Sequence, residues 1–154
     1  MDAIDREILQ LLQIDATRSY SAIGKAVGLS VSGVNERLKK LKSRGVLRSI
    51  EARLDPATLG LDILAFVQIL VDRAGAEGEL VRRIRQMPEV QECHHMTGDY
   101  SYLIKLRARD TRHLEHLIGD RIKSLPGIAR TFTLIVLSTA KETAAVDCRN
   151  AADA

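Results

Sequence analysis

Aromatic residues and cysteines are scarce in this 154-residue chain, and each shortage disfavours a class of function. There is no tryptophan, and only three tyrosines and two phenylalanines are present, so there are few rings on which single-stranded nucleic acid could stack. The two cysteines, Cys93 and Cys148, are too few for the disulfide framework of a small secreted domain. We therefore expect an apolar core to hold the fold.

Long apolar runs are also missing. No stretch of 18 apolar residues occurs, and the first residues do not show the basic and then apolar pattern of a secretory leader. We expect a cytoplasmic protein with no membrane partner. The hydrophobic content of 45% is enough for one domain or two small ones, each with its own core.

Charge is distributed unevenly along the chain. Residues 1–55 carry ten cationic and seven acidic side chains, whereas the remainder carries equal numbers, so the net charge of +3 belongs to the N-terminal third. Seven of the cations lie between Arg37 and Arg53, where Glu51 is the only acid. A solvated helix face would also be charged, but a cluster of one sign is typical of a surface that contacts DNA phosphates.

Residues 29–45 show the pattern of a short helix with a basic outer face. Ser30 can cap the first turn, and Gly45 can adopt the left-handed conformation that ends a helix. The apolar positions recur at helical spacing and are Val34, Leu38 and Leu41. Polar residues on or beside the helix are our predicted DNA contacts: Ser30, Ser32, Asn35, Glu36, Arg37, Lys39, Lys40 and Arg44.

Two further helices are predicted before this one. Asp2 can cap a first helix, and a second helix covers residues 21–27 before Gly28 turns the chain. The second predicted helix and the basic helix form a helix-turn-helix, and the first predicted helix completes the small apolar core between them. Residues 46–54 then alternate apolar and polar side chains as a strand does, so we predict a winged helix-turn-helix domain over residues 1–55.

The second half predicts a β-α-β-β-α-β order, the ferredoxin-like α/β sandwich of an α+β protein. Turn residues punctuate it at Gly75–Gly78, Thr97–Asp99 and Pro126–Gly127. The predicted strands cover residues 61–71, 90–96, 100–108 and 128–137, with helices from Gly78 to Met87 and from Asp110 or Thr111 to Leu125. We place this domain at residues 61–141 and expect residues 142–154 to be a flexible tail.

The first strand of this domain is apolar on both faces, although helices cover only one face of such a sheet. The other face would expose Leu64, Phe66 and Leu70 to water. A second copy of the chain is the simplest cover, so we predict an oligomer interface at these residues.

Metal binding and catalysis are the weaker alternatives. Strand alternation puts Cys93 and His95 on one face and His94 on the other, so only two of the three could share an ion unless His113 and His116 joined them. No nucleophile triad, paired-carboxylate motif or phosphate loop is evident. We therefore predict no metal site, no cofactor and no enzyme activity.

Many short motifs occur in an order that resembles the Lrp/AsnC family of bacterial and archaeal transcription regulators. They extend over residues 1–141 and are Asp5 with Ile8-Leu9, Gly28-Leu-Ser30, Val34-x-x-Arg37-Leu-x-x-Leu41, Gly45-Val-Leu47, Leu54-Asp-Pro56, Leu59-Gly60, Pro88-Glu-Val90, Cys93, Thr97-Gly-Asp-Tyr100, Pro126-Gly127 and Val136-Leu137 near Lys141. The resemblance implies a sequence-specific regulator that binds double-stranded DNA as a dimer, often assembled into octamers. It also implies an amino-acid effector near the predicted turn, at Thr97, Gly98, Asp99, Tyr100 and Ser101.

Two positions leave alternatives open within this resemblance. Family members share the arginine at position 37 so widely that it could support the helix-turn-helix instead of contacting DNA. The family commonly has an aspartate where this chain has Ser101, so a carboxylate that could pair with an effector ammonium is missing. Asp99 could replace it, or could be bonded to the turn. DNA binding without an effector, by an architectural or assembly protein, is the alternative function.

Overall fold

The computed structural model describes residues 1–148, which form two compact units. The first unit comprises Met1–Arg53 and the segment that begins at Lys141, and the second comprises Leu54–Ala140. Three helices build the first unit: α1 (Ala3–Ile14), α2 (Tyr20–Val27) and α3 (Val31–Ser43). Among residues 1–148, no helix has the length and apolar character needed to cross a bilayer.

Each of these helices begins at a polar residue that satisfies a free backbone N–H group. The side chains of Asp2, Ser19 and Ser30 accept hydrogen bonds from the first turns of α1, α2 and α3, and such a cap stabilises a helix by about 1 kcal/mol. At the other end of α3, Gly45 adopts a φ of 71°, and the next N–H group, that of Val46, returns to a carbonyl in the last turn of α3. The predicted helices and caps are confirmed.

The core of the first unit lies between the three helices. All three contribute to it, and its helical members are Ile8, Leu9, Leu12, Ile23, Val34, Leu38 and Leu41. The turn between α2 and α3 passes very close to α2: the N–H of Leu29 donates to the carbonyl of Gly24 at 2.8 Å, and a Cβ atom on Gly24 would lie 2.5 Å from the Leu29 carbonyl oxygen. Only glycine permits this approach.

The second unit is a four-stranded antiparallel sheet with two helical segments on one face. Its elements are β1 (Ile63–Val71), α4 (Ala76–Ile84), β2 (Val90–His95), β3 (Tyr102–Ala108), α5 (Thr111–His116, which widens into a π-helix over Leu117–Ile122) and β4 (Ile128–Ile135). The strand order is β2-β3-β1-β4. The predicted β-α-β-β-α-β order and ferredoxin-like architecture are confirmed.

Side chains of β1 alternate between the two faces of this sheet. Ala65, Val67 and Ile69 are fully buried against the helical layer. The rest of that core comes from both helical segments and β3, and includes Leu80, Ile84, Ile104, Leu106, Leu117 and Ile122. Leu64, Phe66 and Leu70 point to the opposite side, which we call the open sheet face, as the alternation predicted.

Some predicted boundaries are wrong. Residues 46–54 form no strand, because alternation alone does not make a strand and, among residues 1–148, no neighbouring strand pairs with this segment. The helix α4 already begins at Ala76 and includes Gly78, and it ends before Met87. The strand β3 begins at Tyr102 instead of residue 100, although Ser101 still donates its N–H to the carbonyl of Ile69.

The predicted flexible tail is also wrong for residues 142–148. Hydrogen bonds join this segment to α1, and Cys148 is buried in the core of the first unit. Residues 149–154, the rest of that prediction, lie outside the described residues.

The close turn at Gly24 makes a test of the first unit. We expect Gly24→Ala to lower the free energy of unfolding of this unit by about 1–3 kcal/mol, because the new Cβ must displace backbone rather than a flexible side chain. Gly78→Ala is the matched control, since its Cβ would meet nothing within 4 Å in α4, and it should stabilise the second unit slightly. Urea unfolding measures both, and an equal response of the two variants would contradict the assignment.

Candidate DNA-binding face and effector turn

The buried stripe of α3 decides which of its side chains face solvent. Val34, Leu38 and Leu41 are at most 2% exposed. At 100° per residue, the positions farthest from this stripe are Ser32, Glu36, Lys39 and Ser43, and all four are exposed. We call these four residues and the adjacent Lys40 the outer face of α3. Asn35 lies at its border and is half-buried.

Two residues of the outer face neutralise each other. The ammonium of Lys40 lies 2.8 Å from the carboxylate of Glu36 one turn earlier, and both side chains are exposed. The hydrogen bond from Lys40 lowers the pKa of Glu36, which favours the charged form of this carboxylate. The side chain of Lys39 makes no hydrogen bond or ion pair with any of residues 1–148, so its charge is available to a ligand.

Arg37 points away from the outer face and joins α3 to the start of α1. Its guanidinium lies 2.7 Å from a carboxylate oxygen of Asp2 and 2.8 Å from one of Asp5. The two aspartates also exchange hydrogen bonds with each other's backbone N–H groups as a capping box. Arg37 therefore occupies the supporting position that the sequence left as an alternative.

The charges of this cluster stabilise each other. The hydrogen bonds to Asp2 and Asp5 raise the pKa of Arg37. The pKa of Asp2 is lowered, first by the N–H of Asp5 and then by Arg37. Sequence reasoning missed Asp2 and Asp5 as partners of Arg37, although their spacing of three residues at a helix start indicates a capping box.

The predicted effector residues form the turn between β2 and β3. Gly98 has a φ of 112°, and the turn closes where the N–H of Met96 donates to the carbonyl of Ser101 at 2.8 Å. The Ser101 hydroxyl accepts a hydrogen bond from the N–H of Val71 at 3.4 Å, at the end of β1. Ser101 thus anchors the turn to β1, whereas Thr97, Gly98 and Asp99 are exposed.

The two residues before Ser101 differ in their contacts. Asp99 makes no hydrogen bond with the residues that the structure describes, so the alternative in which its carboxylate is bonded to the turn has no support. The Tyr100 ring lies 6.5 Å from the ring of Phe132, and the Arg130 guanidinium lies 5.0 Å above it. Tyr100 therefore connects the turn to β4.

The open sheet face is apolar at its centre. Phe66 and Leu70 are half-buried, whereas Leu64 is only 6% exposed and is therefore already buried within a single chain. Phe66 pairs across the ladder with Leu134, and Gln68 pairs with Phe132. Phe132 and Leu134 are 49% and 45% exposed, so the uncovered apolar surface continues from β1 onto β4.

The histidines have separate surroundings. Cys93 and His95 share one face of β2 and His94 takes the other, as predicted. His95 stacks on Tyr102 and His94 lies 3.2 Å from Glu92. His113 and His116 lie on α5, beside the N–H of Arg109 and the carboxylate of Asp120.

The Arg37 cluster can be tested by stability. We expect Arg37→Gln and Asp5→Asn each to lower the free energy of unfolding of the first unit. Because the two side chains form one ion pair, the double variant should lose about 1 kcal/mol less than the sum of the two single losses, a modest coupling since both side chains are partly exposed. Urea unfolding of the four proteins measures this coupling. Strict additivity would show that the pair does not hold α1 to α3.

Comparison with known proteins follows the same division of the chain. Residues 1–42 match the family model of the AsnC-type helix-turn-helix domain, and residues 64–146 match that of the Lrp/AsnC ligand binding domain. The chain is 38% identical over 143 residues to the HTH-type transcriptional regulator FL11 of Pyrococcus horikoshii, with 93% of each protein covered. It is 34% identical over 144 residues to the leucine-responsive regulatory protein of Escherichia coli, covering 92% of this chain and 88% of that protein.

Solved structures agree with this comparison. A transcriptional regulator of Neisseria meningitidis in complex with L-Met superposes with a TM-score of 0.89 at 29% identity, covering 95% of this chain and 96% of that one. Escherichia coli AsnC superposes with a TM-score of 0.85 at 30% identity, covering 92% and 95%. With matches over both units, the chain belongs to the Lrp/AsnC family of helix-turn-helix transcriptional regulators.

Proposed function

We propose that this regulator binds double-stranded DNA by inserting the outer face of α3 into the major groove, as a cytoplasmic protein without enzyme activity. The observation that carries the proposal is the polar outer face of a capped, well-packed helix, on which the side chain of Lys39 is an unpaired cation. An α-helix fits the major groove, and the N-terminal part of a recognition helix contacts base edges.

The eight residues predicted from the sequence divide into four roles under this proposal. Ser32, Glu36, Lys39 and Lys40 contact the groove from the outer face, and Asn35 reaches it from the border. Ser30 keeps its capping bond to the N–H of Gly33, and Arg44 follows the last turn near the phosphates. Arg37 holds the helix in position through Asp2 and Asp5.

Lys39→Ala tests the binding face. Because the side chain has no intramolecular partner among residues 1–148, its loss should leave stability unchanged and weaken binding to all DNA sequences alike. The slope of log K against log salt should fall by about 0.9, the value for one phosphate contact. Fluorescence anisotropy with duplex DNA over a salt series measures it.

Lys123→Ala is the matched control for this experiment. It removes the same charge from an exposed position in the second unit, and should leave both affinity and salt slope unchanged. Equal losses in the two variants would mean that net charge, and not the outer face of α3, carries the binding.

We further propose that two chains associate through the open sheet face. Its apolar residues on β1 and β4 are Phe66, Leu70, Phe132 and Leu134, and a partner would remove them from water. A two-fold dimer also presents two recognition helices to two half-sites. Higher assembly, up to the octamer that the family resemblance implied, is consistent with this interface.

Phe66→Asp tests the dimer, because it places a charge in the middle of the apolar face. We expect wild type to sediment as a dimer or larger species without DNA at micromolar concentration, and Phe66→Asp to shift toward monomer. Leu59→Asp, at a 59% exposed residue outside the sheet, should behave as wild type. A monomeric wild type would refute the interface.

The turn at residues 97–101 is our proposed effector site, and its class of ligand is an amino acid. The relative from Neisseria meningitidis was solved with L-Met, and the turn offers exposed backbone groups beside the unbonded carboxylate of Asp99. That carboxylate can pair with an ammonium. Ser101 cannot supply a second charge, since a serine hydroxyl is neutral, and its oxygen already accepts a hydrogen bond from the N–H of Val71.

Ser101→Asp tests this site. We expect wild type to bind amino acids weakly and the variant to bind them more tightly, because a charge-assisted bond contributes roughly 1.5–3 kcal/mol. Calorimetric titration against the twenty amino acids compares the two proteins. Tight binding by wild type that Ser101→Asp leaves unimproved would overturn the argument, and no binding by either would favour effector-independent regulation.

A further inference from the structure

Within residues 141–148, Val146 is bonded to α1 by two hydrogen bonds to one side chain. The side-chain oxygen of Gln13 accepts a hydrogen bond from the N–H of Val146 at 2.7 Å, and its side-chain nitrogen donates to the Val146 carbonyl at 3.0 Å. One amide side chain thus satisfies both backbone groups of one residue, as a neighbouring strand would. The Val146 side chain is 69% exposed, so its backbone makes the contact.

The end of this segment enters the core of the first unit, which we call the DNA-binding unit because it contains the recognition helix α3. Cys148 is 7% exposed and belongs to the same apolar cluster as the inner stripe of α3. Its sulfur lies 3.1 Å from the side-chain nitrogen of Gln13. The recognition helix therefore packs in a core that the far end of the sequence helps to fill.

A second attachment lies near the start of the segment. Arg53 donates a hydrogen bond to the carbonyl of Glu142 at 2.9 Å, and its guanidinium lies 3.7 Å from the Glu142 carboxylate. Arg53 is the last residue of the first part of this unit, so it pairs with the returning chain where that chain re-enters. The chain thus connects the two units twice, once after Arg53 and once before Lys141.

We propose that residues 141–148 act as a strap that locks the DNA-binding unit, so that undocking the strap loosens the recognition helix. The strap follows directly after the second unit in the chain. A conformational change in that unit that displaced the strap would therefore alter the packing of α3 through Cys148 and the shared core. The docking of the strap is independent of the proposed DNA contacts. It can be measured without DNA.

The buried thiol reports docking directly. In a Cys93→Ser background, Cys148 is the only thiol, and its reaction with a small aromatic disulfide reagent is followed by absorbance. We expect the folded protein to react at least about tenfold more slowly than the urea-unfolded chain. A folded protein that reacts as fast as the unfolded chain would overturn the proposal.

Val146→Pro and Val146→Ala form a matched pair at the strap. Proline removes the backbone N–H group that donates a hydrogen bond to the Gln13 side chain, whereas alanine keeps this group and only shortens an exposed side chain. We expect Val146→Pro and Gln13→Ala each to raise the Cys148 reaction rate by about tenfold, the effect of losing one or two net hydrogen bonds. Val146→Ala should react as the parent does, and equal rates in the two Val146 variants would contradict the lock.

Hydrogen exchange tests the coupling to the recognition helix in the same variants. Backbone amides of Leu38 and Leu41 in α3 should exchange several-fold faster in Val146→Pro, while those of Val67 and Ile69 in β1 should be unchanged. Gln10→Ala is a further control on α1, since no hydrogen bond joins the Gln10 side chain to residues 141–148. Unchanged exchange in α3 despite a released thiol would show that the strap docks without locking.

Discussion

Burial of Val34, Leu38 and Leu41 against α1 and α2 fixes the rotation of α3, and the proposed DNA-binding surface depends on that rotation. A helix with one buried stripe has one exposed side, so the same packing that folds the unit selects which polar residues are exposed. The bonds of Arg37 to Asp2 and Asp5 add a polar constraint on the same contact between α1 and α3. The packing of this small core therefore decides which side chains of α3 are exposed and able to contact DNA.

In the second unit, the sheet determines which apolar side chains are buried and which remain exposed. Its helical layer buries one face, and the apolar residues of β1 and β4 on the other face remain partly exposed in a single chain. Tyr100 contacts Phe132 and Arg130 on β4, so the proposed effector turn is continuous with the proposed assembly face. A ligand that moved Tyr100 would displace its contacts with Phe132 and Arg130, and the proposed effector site would in this way be coupled to the proposed assembly face.

Local patterns predicted most of the fold because caps, glycines and apolar spacing act over a few residues. Ser30, Gly45 and the stripe at Val34 determined α3, and the two-sided apolarity of β1 matched its position inside the sheet. Contacts between distant positions were not predictable in this way. The bond from Arg37 to Asp2 joins residues 35 positions apart, and the bond from Gln13 to Val146 joins the two chain segments of the unit. Neither is visible in a window of neighbouring residues. The strand predicted at residues 46–54 failed for the same reason, since a strand depends on its partner.

We propose that α3 reads a defined DNA sequence, and selecting bound sites from a pool of random duplexes with the full chain tests this proposal. We expect enrichment of a two-fold symmetric sequence whose half-sites are centred about 10 base pairs apart, or a multiple of that, because two recognition helices of a dimer enter successive major grooves. Recovery of duplexes without any shared sequence, or of single-stranded molecules in preference to duplexes, would contradict it.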